Sequence, residues 1–72
     1  MPGFVRIHSH FVSGESGFSA LTVETREVGS SSWEIVDLYC LRTWLTRPEA
    51  REEMCAQLKE LEQAGYVLLG AP

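Results

Sequence analysis

TRPEAREEMCAQLKELEQAGYVLLG, which covers residues 46–70, is the stretch from which the fold of this chain is best predicted. Thr46 is a favourable N-cap residue and Glu49 follows it by three positions, so the pair predicts a capping box at the start of a helix. Pro48 fits the first helical turn, where its missing N–H costs no hydrogen bond. Gly65 fits the position after the helix end, which favours a positive φ. We therefore predict one helix that ends just before Gly65.

The predicted helix is amphipathic. Its apolar residues recur at spacings of four, four and three, in the order Ala50, Met54, Leu58 and Leu61. Beyond Gly65, residues 66–69 form a short apolar run that is typical of a buried strand. The opposite side of the helix is acidic and includes Glu49 and Glu53, which form either an ordinary solvated surface or a contact for a basic partner.

Two strands are predicted ahead of this helix, each with one apolar and one polar face. In residues 4–12, FVRIHSHFV, the apolar face holds Val5, Ile7 and Phe11, and the polar face holds Arg6, His8 and His10. In residues 18–28, FSALTVETREV, Leu21 and Val23 alternate with Thr22, Glu24 and Arg26. Clusters of glycine and serine at 13–17 and 29–32 predict turns after both strands.

Residues 33–45, WEIVDLYCLRTWL, are compatible with a strand or a helix. Ser31 and Glu34 have capping-box spacing, which favours a helix, but the polar residues would be scattered around its circumference. Aromatic and β-branched content and the short turns on both sides favour a strand. In that strand one face would carry Val36, Leu38 and Cys40, and the other would carry Trp33, Ile35, Tyr39 and Leu41.

The predicted order of elements is β-β-β-α-β. A three-stranded antiparallel meander is followed by one amphipathic helix and a short C-terminal strand, which is a small α+β fold. Residues 1–72 are expected to form a single domain, because a chain of 72 residues has room for one core.

Composition excludes several classes of function. The net charge is −4 and the basic residues do not cluster, which argues against direct nucleic-acid binding. No apolar run approaches the roughly 18 residues of a membrane span, and the first residues lack the layout of a signal peptide. We therefore expect a cytoplasmic protein whose two cysteines, Cys40 and Cys55, are free thiols that point into the core.

The third strand carries more apolar surface than one helix can cover. If the helix packs on Val36, Leu38 and Cys40, the other apolar face of that strand is left exposed. Its apolar surface would be several hundred Å², and covering it would contribute a free energy on the order of 10 kcal/mol. Tryptophan and tyrosine are also enriched at binding hot spots. The predicted contact residues are Trp33, Ile35, Tyr39 and Leu41, extended by Trp44, with the acidic side chains of Glu49 and Glu53 as a second surface.

No catalytic or cofactor motif stands out. His8 and His10 lie two residues apart on one strand face and could supply two ligands of a zinc site. Further ligands would have to come from Glu24 or a cysteine, and no spacing in the sequence points to them. Ordinary half-exposed histidines are therefore the favoured interpretation, and we expect neither a metal nor a cofactor.

The sequence thus favours a non-enzymatic protein that binds another protein through an apolar sheet face. Small acidic proteins of this kind include inhibitors and adaptors of larger complexes, and phage anti-defence proteins such as inhibitors of CRISPR effectors are one such class; this association rests on size and charge. A small metal- or ligand-binding domain using His8 and His10 is one alternative. A structural homo-oligomer, such as a homodimer, is another.

Overall fold

A computed structural model describes residues 2–70 and confirms the predicted α+β class and order of strands. Within this part of the chain the elements are β1 (Gly3–Val12), β2 (Phe18–Glu27), β3 (Glu34–Cys40), α1 (Leu41–Thr46), α2 (Pro48–Gln63) and β4 (Tyr66–Leu68). The strands form one sheet in the order β3-β2-β1-β4. The short helix α1 is an addition to the predicted order.

Strand pairing explains why the helices are needed. β1 and β2 form an antiparallel hairpin, and β3 continues it on the far side of β2. β4 pairs with β1 in the parallel direction, from Gly3 opposite Tyr66 to Val5 opposite Leu68. Because β3 and β4 lie at opposite edges, the chain between them must cross the sheet, and a helix is the usual element for such a crossing.

The core lies between α2 and one face of the sheet. Met54 is 3% exposed and forms the core with Val5, Val23 and Tyr39. The predicted helical stripe is confirmed, since its other members, Ala50, Leu58 and Leu61, pack against this core. Gly65 has a φ of +100°, as predicted for the residue that ends the helix.

The helix covers only part of the sheet. Ile7 is 40% exposed and Phe11 is 70% exposed, although both were predicted to be buried with Val5. The ten residues of β1 extend over about 33 Å, whereas the 16 residues of α2 extend over about 24 Å. α2 therefore covers the end of β1 that contains Val5 and leaves the other end to solvent.

The predicted orientation of β3 is correct before Val36 and wrong after it. Val36 is an extra residue, because Asp37 pairs with Val23 while Ile35 pairs with the next residue of β2, Glu24. This β-bulge breaks the alternation of side chains. It places Tyr39, which pairs with Leu21, on the helix-covered face, and it places Leu38 on the opposite face, here called the open face. Ile35, which precedes the bulge, also lies on the open face, as predicted.

The junction between β3 and α2 also differs from the prediction. Thr46 ends α1, where its hydroxyl donates to the carbonyl oxygen of Arg42 at 2.8 Å, and Arg47 is the N-cap of α2. The predicted capping box of Thr46 with Glu49 is therefore absent, and neither helix has a side-chain N-cap hydrogen bond. Pro48 does occupy the first turn of α2, as predicted.

Gly3 lies where β1 approaches the backbone of β2 so closely that no side chain fits. A Cβ at this position would overlap the carbonyl oxygen of Arg26. We expect Gly3→Ala to lower the free energy of unfolding by about 2 kcal/mol, because a backbone atom must move to admit it. Gly14→Ala is the matched control, since a Cβ there meets no atom of residues 2–70 within 4 Å. Urea denaturation of both variants measures the effect, and equal stabilities would contradict the expectation.

Candidate functional site

A group of polar side chains lies on the open face, where β1 and β2 pair. Arg6 is opposite Glu24 and His8 is opposite Thr22 in the antiparallel register. Paired residues of antiparallel strands point to the same face, and His10 shares the face of His8 because it is two residues further along β1. These five residues, Arg6, His8, His10, Thr22 and Glu24, are called the polar cluster below.

Glu24 is the centre of the polar cluster. It is 3% exposed, although polar side chains of β2 were predicted to face solvent. Nε of Arg6 donates to Oε1 at 2.8 Å, and Nη2 of Arg6 forms an ion pair with the same oxygen at 2.8 Å. The Thr22 hydroxyl donates to Oε2 at 2.6 Å, and His10 Nε2 lies 2.9 Å from the same oxygen.

These contacts keep the Glu24 carboxyl ionised. Burial acts to raise its pKa, but the hydrogen bonds from Thr22, His10 and Arg6, together with the charge of Arg6, outweigh burial and lower the pKa to about 2. Because an ionised carboxylate can only accept hydrogen bonds, Nε2 of His10 must carry the proton that it donates to Oε2.

The two histidines face the same carboxylate oxygen. Their ring centroids are 4.2 Å apart, and Nδ1 of His8 is 3.7 Å from Oε2 of Glu24. One donor atom from each of His8, His10 and Glu24 can be chosen so that all three lie within 4.8 Å of one another. The structure thus brings Glu24 to the histidine pair, which the spacing of residues in the sequence did not indicate.

Trp33 covers one side of the polar cluster. The guanidinium carbon of Arg6 lies 4.1 Å from the centroid of its ring, and that of Arg26 lies 5.4 Å away. Both distances are in the range of cation–π contacts. Trp33 is on the open face, as predicted, but it is half-buried by these arginines, so less of its ring is free for a partner than the sequence suggested.

Three of the other predicted contact residues lie away from the open face. Tyr39 is 8% exposed, and its hydroxyl donates to Oε1 of Gln57 on α2 at 3.4 Å. Burial, reinforced by the charges of Asp37 and Glu53, raises the pKa of Tyr39 to about 12. Leu41 and Trp44 belong to α1, and Trp44 packs against the core. The predicted continuous patch is therefore split between two faces.

The acidic residues Glu49 and Glu53 are exposed on α2, as expected for its outer surface. A partner role for them is a matter for proposal.

β3 nevertheless exposes aliphatic side chains. Ile35 is 59% exposed, Val36 is 46% exposed and Leu38 is 44% exposed. We call these three residues the apolar margin, because β3 is an edge strand. Val36 and Leu38 were assigned to the core from their alternation. The apolar composition of both strand faces indicates that some of these side chains are exposed, but it does not indicate which ones.

The cysteines are free, but they do not both point into the core. Cys55 is exposed on α2, contrary to the prediction, and Cys40 is half-buried at the start of α1. Backbone N–H groups of Thr43 and Arg42 lower the pKa of the Cys40 thiol. Neither cysteine belongs to the group formed by His8, His10 and Glu24.

Among the described residues, no helix is long and apolar enough to cross a membrane. Comparisons with protein-family models, with curated proteins and with solved structures gave no match to this chain. The functional interpretation therefore rests on the polar cluster and the apolar margin themselves.

Proposed function

We propose that this protein acts by binding another protein through the apolar margin, without catalysing a reaction. The observation that carries the proposal is the exposure of three neighbouring aliphatic side chains on one edge strand, by 59% at Ile35, 46% at Val36 and 44% at Leu38. Exposed apolar groups that are contiguous, in contrast to scattered single residues, usually mark an interaction site.

The backbone of β3 is not an open template for any strand. The bulge at Val36 interrupts its regular edge. In addition, the carboxylate of Asp37 accepts a hydrogen bond from the backbone N–H of Leu38 at 2.8 Å. Bulges and edge charges are the devices that limit indiscriminate pairing between sheets. The contact is therefore one of side chains, in which an apolar surface of the partner covers the margin.

The charges around the margin define the partner further. Glu34 and Asp37 belong to the same strand, and the whole chain carries a net charge of −4. The partner surface that fits is apolar at its centre and basic at its rim, because complementary charge speeds association and disfavours wrong partners. Glu49 and Glu53 on α2 extend the acidic rim. An inhibitor or adaptor of a larger cytoplasmic complex, of the phage anti-defence type or another, would act in this way.

A pair of identical substitutions tests the margin. We expect Val36→Lys to weaken partner binding at least tenfold, because a charge is placed at the centre of the apolar contact. Val28→Lys is the control, since Val28 is 61% exposed but lies outside the margin. Both tagged variants and the parent protein are used for affinity capture from host cells, with quantitative mass spectrometry of the captured proteins. Affinities are then measured with the purified partner.

If the proposal is correct, at least one host protein is captured by both the parent and Val28→Lys but not by Val36→Lys. Equal capture by all three proteins, or equal loss in both variants, contradicts it. Light scattering of the purified proteins separates the alternative of a homo-oligomer, in which Val36→Lys alone would convert a dimer into a monomer.

A further inference from the structure

We propose that His8, His10 and Glu24 form a binding site for a divalent transition metal ion, with Zn²⁺ as the best fit. Two imidazole nitrogens and one carboxylate oxygen are a common three-residue ligand set for zinc. This inference does not depend on the apolar margin or on a protein partner, because the three residues lie on β1 and β2.

Two of the three distances between ligand atoms are close to those of a tetrahedral site. Bonds of about 2.0–2.1 Å to zinc place neighbouring ligand atoms about 3.3 Å apart. In the structure Oε2 of Glu24 is 2.9 Å from Nε2 of His10 and 3.7 Å from Nδ1 of His8, on either side of that value. Differences of this size are within the reach of side-chain rotations.

The carboxylate is held in place by residues that would not bind the ion. Arg6 holds Oε1 through a hydrogen bond from Nε and an ion pair with Nη2, both at 2.8 Å, which leaves Oε2 turned towards the histidines. The Thr22 hydroxyl donates to Oε2 at 2.6 Å and fixes it between the two rings. Hydrogen bonds of this kind orient ligands in metal sites and contribute to their affinity.

Binding requires one local rearrangement. His10 now uses Nε2–H to donate to Glu24, so coordination through Nε2 needs the ring proton on Nδ1 instead, a tautomer change with no net gain or loss of protons. Arg6 is a nearby positive charge that opposes any cation. Mg²⁺ and Ca²⁺ prefer several oxygen ligands, and this site offers one carboxylate whose charge is balanced by one arginine. The site therefore favours a metal ion that imidazole nitrogens bind strongly.

Three protein ligands leave a fourth position free, as in zinc sites that hold a water molecule. The side chains of His8 and His10 are 47% and 35% exposed, so this position is reached from solvent on the open face.

Zinc titration of the metal-free protein by calorimetry tests the proposal. We expect one Zn²⁺ per chain with a Kd of about 1 μM or lower. His8→Ala is expected to weaken Zn²⁺ binding by about 100-fold or more. Removing a residue that only orients a ligand weakens metal binding by up to about 100-fold, and His8 is itself a ligand. The double variant Cys40→Ser/Cys55→Ser is the control, because thiolates also bind zinc, and its affinity should equal that of the parent. The same titration with Mg²⁺ should give no heat of binding.

His8 is half-exposed, and its contact with Glu24 is loose, so we expect His8→Ala to fold; circular dichroism checks this. A second measurement needs no substitution: in ¹H–¹³C spectra of the parent protein, the imidazole signals of both histidines should shift together and saturate at one equivalent of Zn²⁺. The proposal is overturned if the parent protein does not bind Zn²⁺, or if His8→Ala binds it as tightly as the parent. It is also overturned if the cysteine variant loses binding, or if the histidine signals do not shift.

Discussion

Glu24→Gln is expected to lower the free energy of unfolding by about 3 kcal/mol at pH 7. The substitution keeps the shape of the side chain but removes the anion that Arg6, Thr22 and His10 surround. A pKa lowered from 4.5 to about 2 corresponds to a loss of this size, since one pKa unit is worth about 1.4 kcal/mol.

The loss should depend on pH in a defined direction. The folded protein holds the pKa of Glu24 at about 2, below the ordinary value of 4.5, so the unfolded chain binds the proton more readily between these values. The contribution of the carboxylate is therefore complete above about pH 4.5 and disappears as the pH falls towards 2. Urea denaturation at pH 7, 4 and 2 should show the parent and variant converging to within about 1 kcal/mol at pH 2.

Glu15→Gln is the control for this series, because Glu15 is an exposed carboxylate in the turn between β1 and β2. Its effect should stay within about 0.5 kcal/mol at pH 7. A difference between the parent and Glu24→Gln that is absent at pH 7, or that persists unchanged at pH 2, would show that the carboxylate does not stabilise the fold in this way.

Met54→Ala is expected to lower the free energy of unfolding by about 2–4 kcal/mol. Met54 is 3% exposed and is the one fully buried side chain that α2 contributes to the described core. Its removal leaves a cavity among Val5, Val23 and Tyr39 that neighbouring side chains cannot fill without moving. A folded unit of about 70 residues has a total stability of only about 4–11 kcal/mol, so the variant should be close to unfolding at room temperature.

The neighbouring residue supplies the control for this prediction. Cys55 is exposed on the same turn of α2, so Cys55→Ala changes the helix at the next position without opening a cavity. Thermal and urea denaturation followed by circular dichroism should place Cys55→Ala within about 0.5 kcal/mol of the parent. Equal losses in the two variants would mean that α2 does not pack on the sheet through Met54.

The sequence predicts the elements of this fold better than it predicts the faces of the sheet. The stripe on α2 and the glycine at position 65 were identified correctly, because period and backbone conformation are local properties. The orientation of β3 was not, because one extra residue at Val36 reverses the alternation, and a strand that is apolar on both faces gives no sign of it. This reversal alone moved Tyr39 from the predicted contact surface into the core.

The polar cluster depends on information that the sequence contains only in part. Alternation correctly placed His8 and His10 on one face of their strand, and Glu24 on the polar face of the next. The register of the hairpin brings these three side chains close together, because it places Arg6 opposite Glu24 and His8 opposite Thr22. That register follows from the geometry of the turn at 13–17, which residue types there do not specify.

The parallel pairing of β1 with β4 has a consequence for synthesis in the cell. Gly3 pairs with Tyr66, so β1 receives its neighbour β4 only after β2, β3, α1 and α2 have been made. Contacts between such distant residues form slowly, and until then one side of β1 presents unpaired backbone groups to other nascent chains. Translation speed and chaperone supply should accordingly affect the yield of folded protein.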